Sequence, residues 1–265
     1  MLVDIGLNLS SSRFDRDRDA VVQRAVAAGV TRLLLTGTSV DESRTVAGYA
    51  EHYAPWCYAT AGVHPHDASS FDDSSLAVLT TLLAQPRVLA VGETGLDFNR
   101  NYSPPEAQER AFEAQIELAR STRLPLFLHE RDAAQRMIDM LKATRDNWCG
   151  GVIHCFTGDR ASLHAYLDLG LYIGITGWVC DERRGLELQG LVREIPADRL
   201  LLETDAPYLL PRSLPNPPKD KRNEPRYLGH IAQVVAELRE CSLDELAATS
   251  SANAERLFRF GEIES

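Results

Sequence analysis

Apolar residues fall along this chain in two alternating rhythms. Short β-rich apolar runs occur at Leu2–Asn8, Arg32–Thr36, Trp56–Gly62, Val88–Glu93, Leu126–His129, Gly151–His154, Tyr172–Thr176 and Leu200–Glu203. Between them lie segments of helical period, such as Val21, Val22, Ala25 and Val26, or Phe112, Ile116 and Ala119, a spacing that gathers apolar side chains on one helix face. Helix starts are marked as well. Ser103-Pro104-Pro105-Glu106 reads as a capping serine, proline in the first turn and glutamate at the third position, which satisfies the free N–H groups of that turn. The same S-x-x-E signal recurs at Ser39…Glu42 and Ser242…Glu245. Gly29 and Gly170 follow the first and sixth helical segments, where a left-handed residue ends a helix.

Strands that alternate with helices pair in parallel, because a parallel neighbour is reached only by a crossover. Eight such repeats in 265 residues predict an α/β fold, a closed (β/α)₈ barrel, in preference to an open doubly wound sheet. Leu243–Phe258 is predicted as one further helix at the C-terminal end. No linker or low-complexity tract interrupts the pattern, so residues 1–265 read as a single domain. The longest irregular stretch, Pro207–Pro225, follows the last strand, where barrel enzymes place substrate-contacting loops.

Composition narrows the function. The formal net charge of −10 disfavours a protein that coats DNA through a broad basic face, but allows one that takes a strand end into a local basic cleft. No apolar run reaches membrane-spanning length, and Met1-Leu2-Val3-Asp4 does not resemble a secretory signal. The five cysteines are scattered without a C-x-x-C pair, which fits free thiols in the cytoplasm and argues against a disulfide framework or a zinc knuckle.

Candidate chemistry collects at the strand ends. Glu93, His129 and His154 end the fourth, fifth and sixth predicted strands, Asp205 follows the eighth, and His64 and His66 follow the third. In a barrel these ends share one face, and imidazoles and carboxylates around one point make a divalent-metal site. Taken singly, each has a plainer reading: a packed histidine, a helix-capping aspartate, a buried ion pair. The conjunction favours a site. The loops on that face carry Arg100, Arg131, Arg183, Arg184, Arg212, Lys219, Lys221 and Arg222, suited to phosphate through the planar guanidinium fork. They also carry Phe98, Tyr102, Phe156, Trp178 and Tyr208, on which bases could stack; packing of the barrel rim competes for Phe156 and Trp178. Cys155 adjoins His154, and strand alternation predicts that it points away from the site. There is no G-x-S-x-G elbow and no G-x-x-x-x-G-K-[ST] loop.

In order along the chain stand DIGLNL (Asp4–Leu9), AGVHPHD (Ala61–Asp67), GETGLDFNRNYS (Gly92–Ser103), LFLHERDA (Leu126–Ala133), HCFTG (His154–Gly158), YIGITGWVCDERRG (Tyr172–Gly185), LLETDAPYLLPR (Leu201–Arg212) and RNEP (Arg222–Pro225). With these motifs the chain resembles the TatD-type metal-dependent deoxyribonucleases of the amidohydrolase superfamily. The resemblance implies a barrel, a divalent metal and 3′→5′ exonuclease activity on single-stranded DNA or RNA ends. It puts the metal ligands on Glu93, His129, His154 and Asp205, and a catalytic role on His64. One departure stands out. Much of the wider family begins D-x-H-x-H with both histidines on metal, whereas this chain has Gly6 and Asn8 there, leaving at most the weak carbonyl ligand of Asn8.

The expected reaction is metal-assisted phosphodiester hydrolysis that releases 5′-mononucleotides, with Mg²⁺ as the first choice of metal and Mn²⁺ or Zn²⁺ as alternatives. Asp205 would ligate the metal or accept a proton, while His66, Arg131, Arg183, Tyr208 and Arg222 would bind substrate. A monomer without membrane association is expected. The rival readings are hydrolysis of an amide, lactone or aminoacyl ester by the same site, and a nucleic-acid-binding protein on a barrel that has lost catalysis.

Overall fold

Strand β1 (Leu2–Leu7) opens a sheet that continues through β2 (Val30–Leu35), β3 (Cys57–Ala61), β4 (Val88–Asp97), β5 (Leu126–Arg131), β6 (Gly151–Ile153), β7 (Tyr172–Ile175) and β8 (Leu200–Leu202) in a computed structural model that describes residues 1–261. Each strand is parallel to the next and spatial order equals chain order. Helices α1 (Arg18–Ala27), α2 (Val40–His52), α3 (Asp73–Leu83), α4 (Pro105–Thr122), α5 (Ala134–Ala143), α6 (Arg160–Asp168) and α7 (Leu186–Leu191) supply the crossovers, and α8 (Leu228–Leu238) follows β8. The ends of the sheet meet: Leu7 bridges Ala206 in parallel, Asn8 N–H donates to Ala206 O at 2.8 Å and Asp205 N–H to Gly6 O at 2.8 Å. The expected (β/α)₈ barrel is the fold observed.

Each strand buries alternate side chains on its two sides. One set packs under the helices. The other forms a separate cluster that takes residues from every strand, including Ile5, Leu34, Tyr58, Phe127, Val152 and Leu201, and it therefore fills the barrel interior. Helix α9 (Leu243–Phe258) closes the end where strands begin: Phe258 and Phe260 join the interior cluster, and Asn253 Nδ2 donates to Ala197 O at 2.8 Å and Leu200 O at 3.0 Å. The opposite mouth is left to the loops that follow the strands.

The eight expected strands are all present, with shifted ends. The largest shift is in β4, which runs on to Asp97 instead of ending at Glu93. Two glycines permit it. At Gly92 (φ 144°) a Cβ would come 2.2 Å from Phe127 O, and at Gly95 (φ 141°) 2.0 Å from His129 O, so any side chain would push β4 off β5. The helix caps at Ser39 and Ser242 are as expected, and so are the left-handed Gly29 and Gly170. Ser103 is not the cap of α4; Pro104 holds that position. The Ser103 hydroxyl instead donates to His66 O at 2.8 Å and accepts from Ser69 N–H at 3.0 Å, tying the loop after β4 to the turn that carries His66.

The irregular stretch after β8 is fastened by Arg222. Its guanidinium donates to both oxygens of Asp17 (2.7 and 2.8 Å), to Glu224 Oε1 (2.8 Å) and to Arg13 O (2.9 Å). Arg24 bridges the same two carboxylates from α1, and Arg222 above all holds the Asp17 carboxyl well below its ordinary range. Arg222 was expected to bind substrate; the structure commits its charge to this clamp, because Asp17 arrives from the start of the chain and Glu224 lies two residues on.

Two outcomes are expected. Arg222→Ala should lower stability by about 2 kcal/mol, less than a fully buried pair would lose because both partners keep some solvent. An unchanged melting temperature would show the clamp to be inert. The second concerns Asp4, fully buried in β1, which accepts from Thr204 N–H (2.9 Å), Thr204 Oγ1 (2.5 Å) and Gly6 N–H (3.3 Å) across the same seam. Burial pushes its carboxyl up to about 7 despite those donors. The folded state thus holds this proton more tightly than the unfolded chain, so the contribution is complete below about pH 4 and is lost as pH rises through about 7. Between pH 5 and 8 the wild-type melting temperature should fall more than that of Asp4→Asn, which keeps the shape and cannot ionise; parallel curves by calorimetry would refute this.

Candidate active site

Four titratable groups meet where β4, β5, β6 and the turn after β3 converge. Glu93 Oε1 lies 3.0 Å from His129 Nδ1, 3.1 Å from His154 Nε2 and 3.4 Å from His64 Nε2. Glu93 is 5% exposed. Burial alone would raise its carboxyl; the charge of His154 and hydrogen bonds from His129 and His154 outweigh that and hold it well below the ordinary carboxylate range. Burial opposes protonation of His154 and His129 too, and the facing carboxylates more than reverse it: Glu203 and Glu93 for His154, Asp97 and Glu93 for His129. His64 goes the other way, pushed down to about 3 chiefly by burial. It is neutral, and its Nδ1 accepts the His66 N–H at 3.1 Å, which leaves the ring proton on Nε2.

The residues fit a divalent ion. Donor atoms of one ion at ~2.0–2.3 Å stand about 3–3.5 Å apart, the spacing seen here around Glu93 Oε1. Donor atoms of His64, Glu93 and His129 lie within 4.8 Å of one another. His129 Nε2 is buried without a hydrogen-bond partner, with Asp97 Oδ2 at 3.6 Å. Asp205 lines the same cavity of about 620 Å³, as do Glu93, His129, His154, His64, His66, Arg131 and Tyr208. Asp205 sits just past β8 with φ 54°. Burial, joined by the charges of Glu93 and Glu203, raises its carboxyl to about 7 against the pull of His154 and Asn8. Asn8 is turned to donate its amide to Asp205 Oδ1 at 2.8 Å, so it supports Asp205 rather than offering a carbonyl oxygen.

One functional carboxylate was missed. Glu203, fully buried at the end of β8, accepts from His154 Nδ1 at 2.9 Å and from the Cys155 N–H. It fixes the His154 ring so that Nε2 faces Glu93. Its room comes from two glycines: a Cβ at Gly6 would lie 2.2 Å from Glu203 Oε2, and one at Gly174 2.5 Å from Oε1. The missing histidine at position 6 therefore leaves no gap, because Glu203 fills the space. Facing glycines in two strands were the sequence signal for it.

Other placements differ from expectation. Cys155 does not point away. Its φ of 47° breaks the strand alternation and brings it to the cavity wall, where burial pushes the thiol up to about 12. Arg183 and Arg222 do not line the cavity; Arg183 is exposed, with Nε 3.5 Å from Asp181. Arg212 pairs with Glu182 at 2.7 Å. Among the described residues Arg131 has no ionic or hydrogen-bonding partner for its guanidinium. Phe156 is core and Phe98 packs against it, whereas Tyr102 and Tyr208 stand 66% and 52% exposed at the mouth. Tyr102 meets the His66 ring at 4.7 Å, and His66 Nε2 lies 2.6 Å from Asp97 Oδ2.

Gly6→Ala should displace Glu203 from His154. Overpacking of this kind costs roughly 1–3 kcal/mol, and losing the neighbour that orients a metal-binding histidine costs ~10–100-fold in metal affinity or activity. Isothermal titration of the variant with Mn²⁺ and a thermal melt test both; wild-type metal affinity would show that the steric lock is not needed.

Comparison with known proteins gives a consistent result. The sequence model described as TatD related DNase matches residues 3–259. A 3′-5′ ssDNA/RNA exonuclease TatD from Salmonella typhimurium is 53% identical over 257 residues, covering 97% of this chain and 98% of that protein. Among solved structures, the TatD homologue YjjV from Escherichia coli K12 superposes with a TM-score of 0.89 at 30% identity, covering 97% and 98% of the two chains. A TatD family hydrolase from Entamoeba histolytica gives 0.88 at 26% identity, with 97% of each chain covered.

Proposed function

The chain belongs to the TatD-related DNase family, and on that premise we propose that it is a divalent-metal-dependent 3′→5′ exonuclease of single-stranded DNA and RNA that releases 5′-mononucleotides, built as one barrel domain. The observation that carries the chemistry is the convergence of the His129 and His154 nitrogens on one ionised, buried carboxylate oxygen. A buried anion ringed by neutral-capable nitrogen donors suits a cation far better than a packed core.

Glu93, His129, His154 and Asp205 are the residues assigned to hold the ion, with Mg²⁺ the first candidate. Bound there, it supplies Lewis-acid charge to the phosphate and acidifies the attacking water. Asp205, steadied by the Asn8 amide at 2.8 Å, is placed to ligate the ion or to take up the water's proton. His64 stays neutral and presents Nε2–H, a donor that orients the scissile phosphate. Arg131, whose guanidinium has no partner among the described residues, is offered to a neighbouring phosphate, and Tyr208 and Tyr102 offer exposed rings to bases. His66 joins the mouth of the cavity, oriented by Asp97. Glu203 is a positioning residue that acts through His154.

The direct test is a 5′-labelled single strand incubated with the purified protein. Stepwise shortening from the 3′ end is expected, abolished by EDTA and restored by Mg²⁺ or Mn²⁺. Glu93→Gln should cost more than ~100-fold in kcat, beyond what loss of a mere neighbour of a ligand costs. Cleavage of closed circular strands as fast as linear ones would make the enzyme an endonuclease instead.

A further inference from the structure

A second cavity, about 470 Å³, opens beside the first, and Glu130, Arg131, Thr157 and Trp178 belong to the walls of both. Its size is in the range of small-molecule sites, about 300–1,000 Å³. Its chemistry differs from that of the metal cavity. The carboxylates of Asp132, Asp159 and Glu187 face it, against the single guanidinium of Arg184 away from the shared wall. Such a lining repels a phosphate and matches the N–H donors on the edge of a nucleobase. Asp132 and Asp159 each commit one oxygen within the protein, to the Asn99 amide at 2.6 Å and to Ser162 N–H at 2.8 Å, leaving the other free.

Trp178 supplies the platform. Its half-buried indole packs against the core, and the Arg184 guanidinium, which lines the same cavity, lies over one face of the ring at 4.5 Å from the centroid, so its orientation is fixed. Aromatic rings held this way stack bases of any sequence. Arg131 stands at the divide between the cavities, with no partner for its charge among the described residues, where a strand passing from one to the other would bring its phosphate.

Resting on the exonuclease reading above, we propose that this second cavity is a nucleobase subsite: it takes the base of one of the two nucleotides flanking the scissile phosphate, stacked on Trp178, while Arg131 holds the phosphate at the divide.

The test crosses Trp178→Ala with oligodeoxyadenylates that carry an abasic residue at the 3′-terminal or the penultimate position. For one of those positions the abasic residue should raise KM roughly 10-fold on wild-type enzyme. Trp178→Ala should raise it equally on the intact strand, and the two changes together should do no more than either alone. Trp178→Phe, which keeps a ring, should rescue. Should Trp178→Ala fail to fold, fluorescence decides in EDTA: the intact strand should quench the wild-type signal, and neither the matching abasic strand with wild type nor the intact strand with Trp178→Phe should do so, since Trp56 and Trp148 lie outside both cavities. Equal KM effects of Trp178→Ala on intact and abasic strands, or no effect of an abasic residue at either position, would overturn the subsite. Trp178-dependent quenching by a wild-type protein that releases no nucleotide would instead refute the exonuclease reading and leave the subsite standing.

Discussion

Glu93 is ionised where almost no water reaches it, and a bare carboxylate in that position would cost several kcal/mol. Everything around it answers that cost. His64, His129 and His154 turn nitrogens toward one of its oxygens, and the two that carry extra positive character are in turn anchored by Asp97 and Glu203. The centre is thus a set of alternating charges, each tolerable only because its neighbour is present. A divalent cation completes the same logic, adding positive charge to a ring in which Asp205 waits with a carboxyl raised to about 7. Arrangements of this kind are preorganised: the side chains are already oriented before a ligand enters, and no large rearrangement is needed to use them.

Much of this was legible in the sequence. The eight strands could be read because parallel strands buried on both faces are short apolar runs, and barrel geometry then carries their C-terminal ends to one place. Position alone brought Glu93, His129, His154, Asp205, His64 and His66 to one face, and all six line one cavity; the family resemblance singled out the first four as ligands. Glu203 was not legible, since a lone glutamate at the end of a leucine run says nothing until it is known that Gly6 and Gly174 have vacated the space beside it. Cys155 was misread because period-two alternation assumes extended backbone, and one residue at φ 47° reverses the side that it faces.

The basic loops show a different limit. Charge counted along a segment takes no account of partners brought by the fold. Arg222 meets Asp17 from about 200 positions earlier in the chain, and Arg212 meets Glu182. Arg131 looks the same in sequence, yet among the described residues its guanidinium meets no acid. Sequence identifies which side chains can carry charge; only three-dimensional neutralisation reveals which of them still has charge to offer.

The seam between β1 and β8 has a consequence for biosynthesis. The first strand made finds its second neighbour only at Ala206, and the interior is sealed only when Phe258 and Phe260 arrive. As the polypeptide leaves the ribosome, the growing sheet therefore carries an unpaired N-terminal edge, and its core stays open at the base, until nearly the whole chain is out. Nascent chains in that condition are the ones most exposed to edge-to-edge association. The polar groups that later stitch the seam, Asp4 with Thr204 and Asn8 with Asp205, also keep that waiting edge hydrated until its partner appears.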